Sequence, residues 1–304
     1  MHSPQLIVIY SHSAGQNVRV QELPEKGKTV WAQSWLCDRD GAKGTNVAVA
    51  AARLGTPTTL VSRTGDDFWA DMADRLLEGS GVNTDFLLRD PTLNTPTGVV
   101  FVDQNGDNSI VLSPDEQTIP ASQIDEALCA FPDAIYVASG YELNMDAANY
   151  ALREAWKKGY KTALNPSPVP GSKPDLSFVT ILFVNEYEAA ELLQLARAEV
   201  HESQAANAAA LQKAYGCPQV VITLGEAGYV GMDGETAFSG PAIPVKTVDT
   251  SGAGDGFMGA VLSELISGKS LSEACAFANR FSSYAVQKEG TIPGYPTRNV
   301  IEHS

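Results

Sequence analysis

The sequence predicts an α/β fold: a mostly parallel central sheet, helices on both faces and a small β-sheet lid over one edge. Three observations predict it. Short β-rich apolar runs alternate with longer helical patterns along most of the 304 residues. Those runs are continuously apolar, as strands buried on both faces are. Two segments break the rhythm with extended or hairpin patterns of their own.

The elements follow in order. "LIVIY" (6–10) reads as a buried strand. "GTNVAVAAARLG" (44–55) reads as a helix of small residues stopped by Gly55 and Pro57. "TTLVSRTG" (58–65) is a strand, and "DDFWADMADRLLEGSG" (66–81) an amphipathic helix with an acidic first turn and a glycine stop. "AIYVAS", "KTALNP", "ILFVNE" and "QVVITLG" are further strands, each beside a helical stretch. Residues 17–37 are extended, with "LPEKGKTV" as a turn, and 97–113 form a hairpin pattern around "NGDN". Together these two segments predict the lid, built from about 10–40 and 96–113 of one domain covering 1–304.

Composition limits the function. The chain is 44% hydrophobic and 19% charged, and its formal charge is −15. No Lys/Arg block exceeds two residues, so no nucleic-acid partner is expected. Cys37, Cys129, Cys217 and Cys275 are scattered without a CxxC pair, which suggests neither a zinc site nor a disulfide framework. The N-terminal apolar run is short and lacks a basic region, so it reads as a strand rather than a signal peptide. No apolar run reaches bilayer length, and a cytoplasmic protein is expected.

Three motif matches fail on spacing. "GKT" (27–29) and "GKS" (268–270) lack the earlier glycine of a P-loop, since Glu22 and Ser263 hold that position. Gly254, Gly256 and Gly259 satisfy GxGxxG, but the acid about twenty residues on, Glu273, falls in a helical pattern rather than at a strand end. A nicotinamide oxidoreductase is set aside on that ground.

"DTSGAGDGFMGAVLS" (249–263) carries the chemistry. "GAGD" puts successive backbone N–H groups at a helix entrance, a nest for anions. Asp255 inside that entrance has two readings. It can take a proton from an attacking hydroxyl while the amides hold a phosphoryl group, or it can simply cap the helix.

"GAKGTNVAVAAARLG", "NEYEAAELL", "VITLGEAGYV" and "DTSGAGD", in this order and spacing, resemble the ribokinase-like (PfkB) family of sugar kinases, and within it the ribokinases, over nearly the whole chain. The resemblance implies a three-layer α/β/α fold with a β lid. It also implies ATP-dependent phosphorylation of a sugar hydroxyl, with Asp255 as base and Gly252, Ala253 and Gly254 as anion hole. Asn185 and Glu188 would lie near the phosphates and the magnesium shell. Thr223, Gly225 and Gly228 would form a nucleotide loop, and Asn279 would stand beside the adenine. A potassium ion would be held by Asp249, with Ser251, Ala285, Lys288, Gly290 and Gly294 lending mostly carbonyl oxygens; glycine stands at the last position where serine is common. Family members often pair their lids into a homodimer, and the 97–113 hairpin has suitable β-rich alternation.

The sugar pocket departs from the ribokinases. Gly41, Lys43, Gly44 and Asn46 match hydroxyl-binding positions, but Ala42 replaces a glycine. An Asn-x-Asp clamp becomes Ser13-Ala14-Gly15, and a sugar-binding glutamate falls on Gly140. The pocket is therefore expected to lose negative charge and ribose selectivity, and to take a bulkier, acidic or modified sugar welcomed by Lys43, His12 or Ser13, with Tyr141 and Glu142 as replacement contacts or simply exposed. A nucleoside kinase and a non-catalytic sugar or nucleotide sensor of the same fold are the alternatives.

Overall fold

The computed structural model describes residues 3–104, 108–113, 117–195 and 204–303. Two sheets organise them. The larger has nine strands. Seven are parallel: β1 (Leu6–Ile9), β4 (Thr58–Gly65), β5 (Asn83–Asp90), β8 (Tyr136–Gly140), β9 (Lys161–Asn165), β10 (Ile181–Asn185) and β11 (Gln219–Thr223). At one edge β12 (Tyr229–Asp233) and β13 (Thr236–Gly240) fold back antiparallel. The spatial order is β13-β12-β11-β10-β9-β8-β1-β4-β5. Each strand anticipated from an apolar run is present; β5 and the antiparallel edge were not anticipated.

The smaller sheet has the order β3-β2-β6-β7, from β2 (Ala14–Val20), β3 (Ala32–Asp40), β6 (Thr97–Val102) and β7 (Asn108–Leu112). These are the two segments expected to form a lid. The centre of the anticipated "NGDN" turn, 105–107, lies outside the described residues.

Helices α1 (Ala42–Arg53), α2 (Phe68–Leu77), α3 (Ala121–Ala130), α4 (Met145–Lys157), α5 (Glu186–Leu192), α6 (Gln204–Tyr215), α7 (Ala253–Ile266), α8 (Leu271–Ala285), α9 (Thr291–Gly294) and α10 (Arg298–Glu302) pack around the larger sheet. Leu6, Ile7, Val8 and Ile9 are fully buried at its centre. Asp67 caps α2 by accepting from the Ala70 N–H at 2.9 Å, which explains the acidic start read from the sequence. None of these helices is long and apolar enough to cross a membrane.

One packing contact positions the site. α1 carries Ala48, Ala50 and Ala51, all fully buried, and lies against α7. A side chain at Gly259 of α7 would start 2.6 Å from the Val47 carbonyl oxygen and 2.8 Å from the Ala50 Cβ. Small residues on both helices allow this approach, and it brings the two helix entrances together.

Candidate active site

Gly252 is the N-cap of α7 in a left-handed conformation, φ +65. Its carbonyl accepts from the Tyr295 hydroxyl at 2.6 Å. A Cβ there would lie 1.9 Å from the Thr291 Cγ2, so the position requires glycine on both counts. Ala253 N–H goes back to the Thr250 carbonyl and Gly256 N–H to the Gly252 carbonyl. Among the described residues no acceptor meets the N–H groups of Gly254 and Asp255 between them. Gly254 is exposed, with open space where a Cβ would stand. The helix entrance is therefore bare, as the glycines implied.

The Asp255 side chain does not cap its own helix. Its Oδ2 accepts from the Asn46 Nδ2 at 3.0 Å, and its Oδ1 lies 3.4 Å from the Lys43 ammonium. Both partners come from α1. Burial opposes the charge on Lys43, but the carboxylates of Asp255, Glu142 and Glu188 outweigh it and hold the ammonium above its ordinary pKa. Asp255 is thus an oriented, cation-paired carboxylate beside two unpaired amides.

The entrance of α1 is the opposite case, because its donors are satisfied. Asp40 Oδ1 accepts from the Ala42 N–H at 3.0 Å, and Glu142 Oε2 from the Lys43 N–H at 2.8 Å. The Ser11 Oγ takes the Gly44 N–H at 3.2 Å and itself donates to Glu142 Oε2 at 2.6 Å. The Ser11 carbonyl takes the Thr45 N–H. Burial pushes the Glu142 carboxyl upward in pKa; Lys43 and the two hydrogen bonds oppose that. Burial, and then the charge of Asp255, push Asp40 the same way.

Several expectations for the sugar pocket need correction. Gly140 is buried, and a Cβ there would stand 2.1 Å from the Tyr10 hydroxyl, so no pocket side chain can arise at that position. Glu142, two residues later, is engaged rather than exposed, accepting from the Ser11 hydroxyl and the Lys43 N–H. Gly44 is buried too; its N–H is spent on Ser11, and a Cβ would lie 2.3 Å from the Ser11 carbonyl oxygen. It lets α1 approach β1 rather than offering a contact. His12 is fully buried, with Nδ1 on Thr45 and Nε2 on Asp74, so it cannot receive an acidic group. Tyr141 is buried and bonds Asn149. Glu142 and Asp40 bring further carboxylates near Asp255, so negative charge stands at this site from positions other than Gly15 and Gly140. Gly15, Ser13 and Gly41 line up at this wall: the Ser13 N–H donates to the Gly41 carbonyl, and Gly15 pairs with Asp40. Ala42 takes a left-handed φ of +68.

Beside the bare entrance opens a cavity of about 700 Å³. It gathers Lys43, Asn185, Thr223, Gly225, Gly228, Gly252, Ala253, Gly254, Asp255 and Asn279 from distant parts of the chain. Gly228 has φ +100 and would drive a Cβ to 2.1 Å from the Gly240 carbonyl oxygen, so the turn after β11 needs glycine. Asn279 donates to the Pro241 carbonyl at 2.8 Å while fronting the cavity. Ile243, Pro244, Val245 and Val286 add apolar lining that the sequence motifs did not reveal. Asn185 and Glu188 form a capping box at α5: the Asn185 side chain takes the Glu188 N–H, and Glu188 Oε2 takes the Asn185 N–H and the Asn165 amide. The helix-entry role of this pair is real, and only Asn185 of the two lines the cavity.

Behind the entrance, Asp249 joins two segments. Its Oδ1 accepts from the Ser251 N–H and its Oδ2 from the Gly290 N–H, each at 2.9 Å. Gly294 packs on Ala285, where a Cβ would lie 2.5 Å from the carbonyl oxygen, so a serine would not fit without movement. Lys288 is exposed between them. Among the described residues no group of three or more His, Cys, Asp or Glu side chains gathers to hold a metal.

Comparison with known proteins agrees with this geometry. A ribokinase of Bacillus subtilis is 33% identical over 301 residues, covering 98% of both chains. A deoxyribokinase of Salmonella typhi is 28% identical over 295 residues, covering 96% of this chain and 95% of its own. The structure of Arabidopsis thaliana ribokinase complexed with ribose and ATP superposes with a TM-score of 0.82 at 28% identity, over 99% of this chain and 98% of that one. The pfkB family carbohydrate kinase pattern matches residues 6–298, from β1 to the start of the last helix, and the chain belongs to that family of carbohydrate kinases.

Proposed function

We propose that this chain transfers the γ-phosphoryl group of ATP to a hydroxyl of a sugar, with Asp255 as general base. The observation that carries the reading is the pairing of an oriented carboxylate with two unpaired amides at the mouth of a nucleotide-sized cavity. The hydroxyl oxygen bonds to the γ-phosphorus as the bond to the β–γ bridging oxygen breaks. Asp255 receives the hydroxyl proton, and ADP leaves. The N–H groups at Gly254 and Asp255, on the entrance begun by Gly252 and Ala253, meet the charge on the moving phosphoryl group. Lys43 pairs with the Asp255 carboxylate at 3.4 Å and holds it in place. The turn with Thr223, Gly225 and Gly228 cradles the nucleotide, and Asn279 with Ile243 and Val286 flanks its base.

Magnesium, when bound with ATP, neutralises phosphate charge. Glu188 would serve its outer shell from behind Asn185: Oε2 is committed to the helix start and, among the described residues, Oε1 has no partner and could accept from a metal-bound water. A monovalent cation would be held at the Asp249 loop, where the carboxylate is fixed by the Ser251 and Gly290 N–H groups, with the carbonyls of Ser251, Ala285, Lys288, Gly290 and Gly294 as its expected ligands. Such an ion would add positive charge behind the bare entrance.

In this reading residues 1–304 act as one unit, and the four-stranded sheet from about 10–40 and 96–113 is its lid. The lid exposes Trp31 (93%) beside one edge strand, β3, and Val111 (60%) and Leu112 (61%) on the other, β7, and a second copy pairing along the β7 edge would make a homodimer. Light scattering that finds only monomer removes that part.

The test is ADP release from ATP with magnesium over pentoses, hexoses, sugar acids and nucleosides, with and without potassium. Turnover is expected with at least one neutral sugar other than ribose, and stimulation by potassium. Asp255→Asn should lower kcat by about 10²- to 10⁴-fold. Full-speed turnover by that variant overturns the assignment.

A further inference from the structure

The acceptor wall holds a carboxylate that the reaction above does not use. Asp40 ends β3 and pairs across the small sheet with Gly15 of β2. A Cβ at Gly15 would stand 3.0 Å from the Asp40 Cβ and 3.5 Å from its carboxyl carbon. The two positions share one space, and here the acid comes from β3.

Asp40 is only partly covered. Its Oδ1 accepts from the Ala42 N–H at 3.0 Å and the Asn46 Nδ2 at 3.2 Å. Among the described residues its Oδ2 accepts from the Thr291 hydroxyl alone, at 2.9 Å. A carboxylate has about four acceptor sites, so Oδ2 keeps capacity. All three partners are neutral. The same Asn46 amide donates to Asp255 at 3.0 Å, so two acids flank one carboxamide, and Lys43 reaches only Asp255 of the two. An acid placed like this, beside a second one and without a cation, costs free energy unless something supplies further donors. A polyhydroxylated, uncharged ligand does so; a ligand with its own carboxylate makes the repulsion worse.

We propose that Asp40 is a specificity-determining residue whose Oδ2 accepts a sugar hydroxyl close to the one that Asp255 deprotonates, and that the substrate is a neutral sugar. This rests on the kinase reading. The Asn46 amide bridges Asp40 and Asp255 through bonds of 3.2 and 3.0 Å, so both acids lie within reach of one sugar ring.

Asp40→Asn tests it. The two donors on Oδ1 fix the new amide with its oxygen on that side and its NH₂ where Oδ2 stood. The helix start is kept, and the acceptor for the sugar is lost. With the best substrate, kcat/KM should fall about 10- to 100-fold, the worth of a charge-assisted hydrogen bond. The KM for ATP and the melting temperature should stay at their wild-type values. The singly deoxygenated analogue that lacks the contacted hydroxyl should react equally with wild type and variant. Asp40→Ser, which keeps a side-chain acceptor for the Ala42 N–H, should show the same pattern if the asparagine variant folds poorly. An unchanged kcat/KM, or an equal loss for every sugar and every deoxy analogue, overturns the role of Asp40 and leaves the kinase standing. A wild type that phosphorylates no sugar overturns both.

Discussion

Two helix entrances face each other across this site, and they are finished in opposite ways. At α7 the N–H groups of Gly254 and Asp255 meet no acceptor among the described residues, and the space beside Gly254 is open. At α1 the corresponding donors are taken by Asp40, Glu142 and Ser11. The same dipole is therefore presented as positive on one side and masked by carboxylates on the other. The bare entrance suits an anion such as a phosphoryl group. The masked one suits a hydroxyl, which approaches as a hydrogen-bond donor. The direction of transfer follows from that asymmetry, with Asp255 on α7 reaching across to α1 for its partners.

Filling the bare entrance should give the larger effect. Gly254→Ala adds a methyl to space that, apart from its chain neighbours and its own helix backbone, no described atom occupies within 4 Å. In a helical first turn alanine is favoured over glycine by up to about 1 kcal/mol. The melting temperature should hold or rise while the methyl crowds the approach of phosphate. A fall in kcat of about 10²-fold is expected, the order associated with losing one donor of such a hole. Loss of stability without loss of kcat would mean that the open space serves folding rather than phosphate.

Unmasking the other entrance should act differently. Glu142→Ala strips the acceptor from the Lys43 N–H and from the Ser11 hydroxyl. Leaving these unpaired costs about 1–3 kcal/mol, which a shifted denaturation midpoint would report. Sugar kcat/KM should fall with it, while ADP affinity by calorimetry should stay near wild type. Equal losses of sugar and ADP binding would break the division of labour between the two helices.

The difference between the entrances also decides what could be read from the sequence. The bare entrance is local: its glycines, its acid and its helix are consecutive from Gly252, so "GAGD" disclosed it. The strand rhythm was local in the same sense, and so the parallel sheet was legible. The masked entrance is assembled by tertiary register. Asp40 and Glu142 arrive from the ends of β3 and β8, and neither lies in a motif. Gly140 reads as a pocket position because nothing in "ASGYELN" shows that Tyr10 covers the end of β8. The clue that was available is that Asp40 immediately precedes "GAKG", where an acid can reach the helix start. The antiparallel edge is not legible for a related reason: β12 (YVGMD) and β13 (TAFSG) carry no continuous apolar run, and their place depends on pairing with β11.

The smallest effect lies at the junction of the masked entrance with the small sheet. Ala42 holds φ +68, and such a conformation costs an alanine roughly 1 kcal/mol. Ala42→Gly removes that strain but gives the unfolded chain more freedom, which returns part of the gain. A net stabilisation of about 0.5 kcal/mol is expected, with a rise in melting temperature of roughly 1–2 °C. Asp40 still accepts the N–H of residue 42 in this variant, so the mask stays in place and ADP affinity should not move. Sugar selectivity should move, because the lost methyl widens the wall between Asp40 and Lys43. A more stable variant with an altered ranking of sugars would show that alanine is kept at position 42 for the shape of the acceptor site, against its own backbone preference. A variant that is stabilised with its sugar ranking intact would confine the role of Ala42 to the helix start and leave selectivity to Asp40.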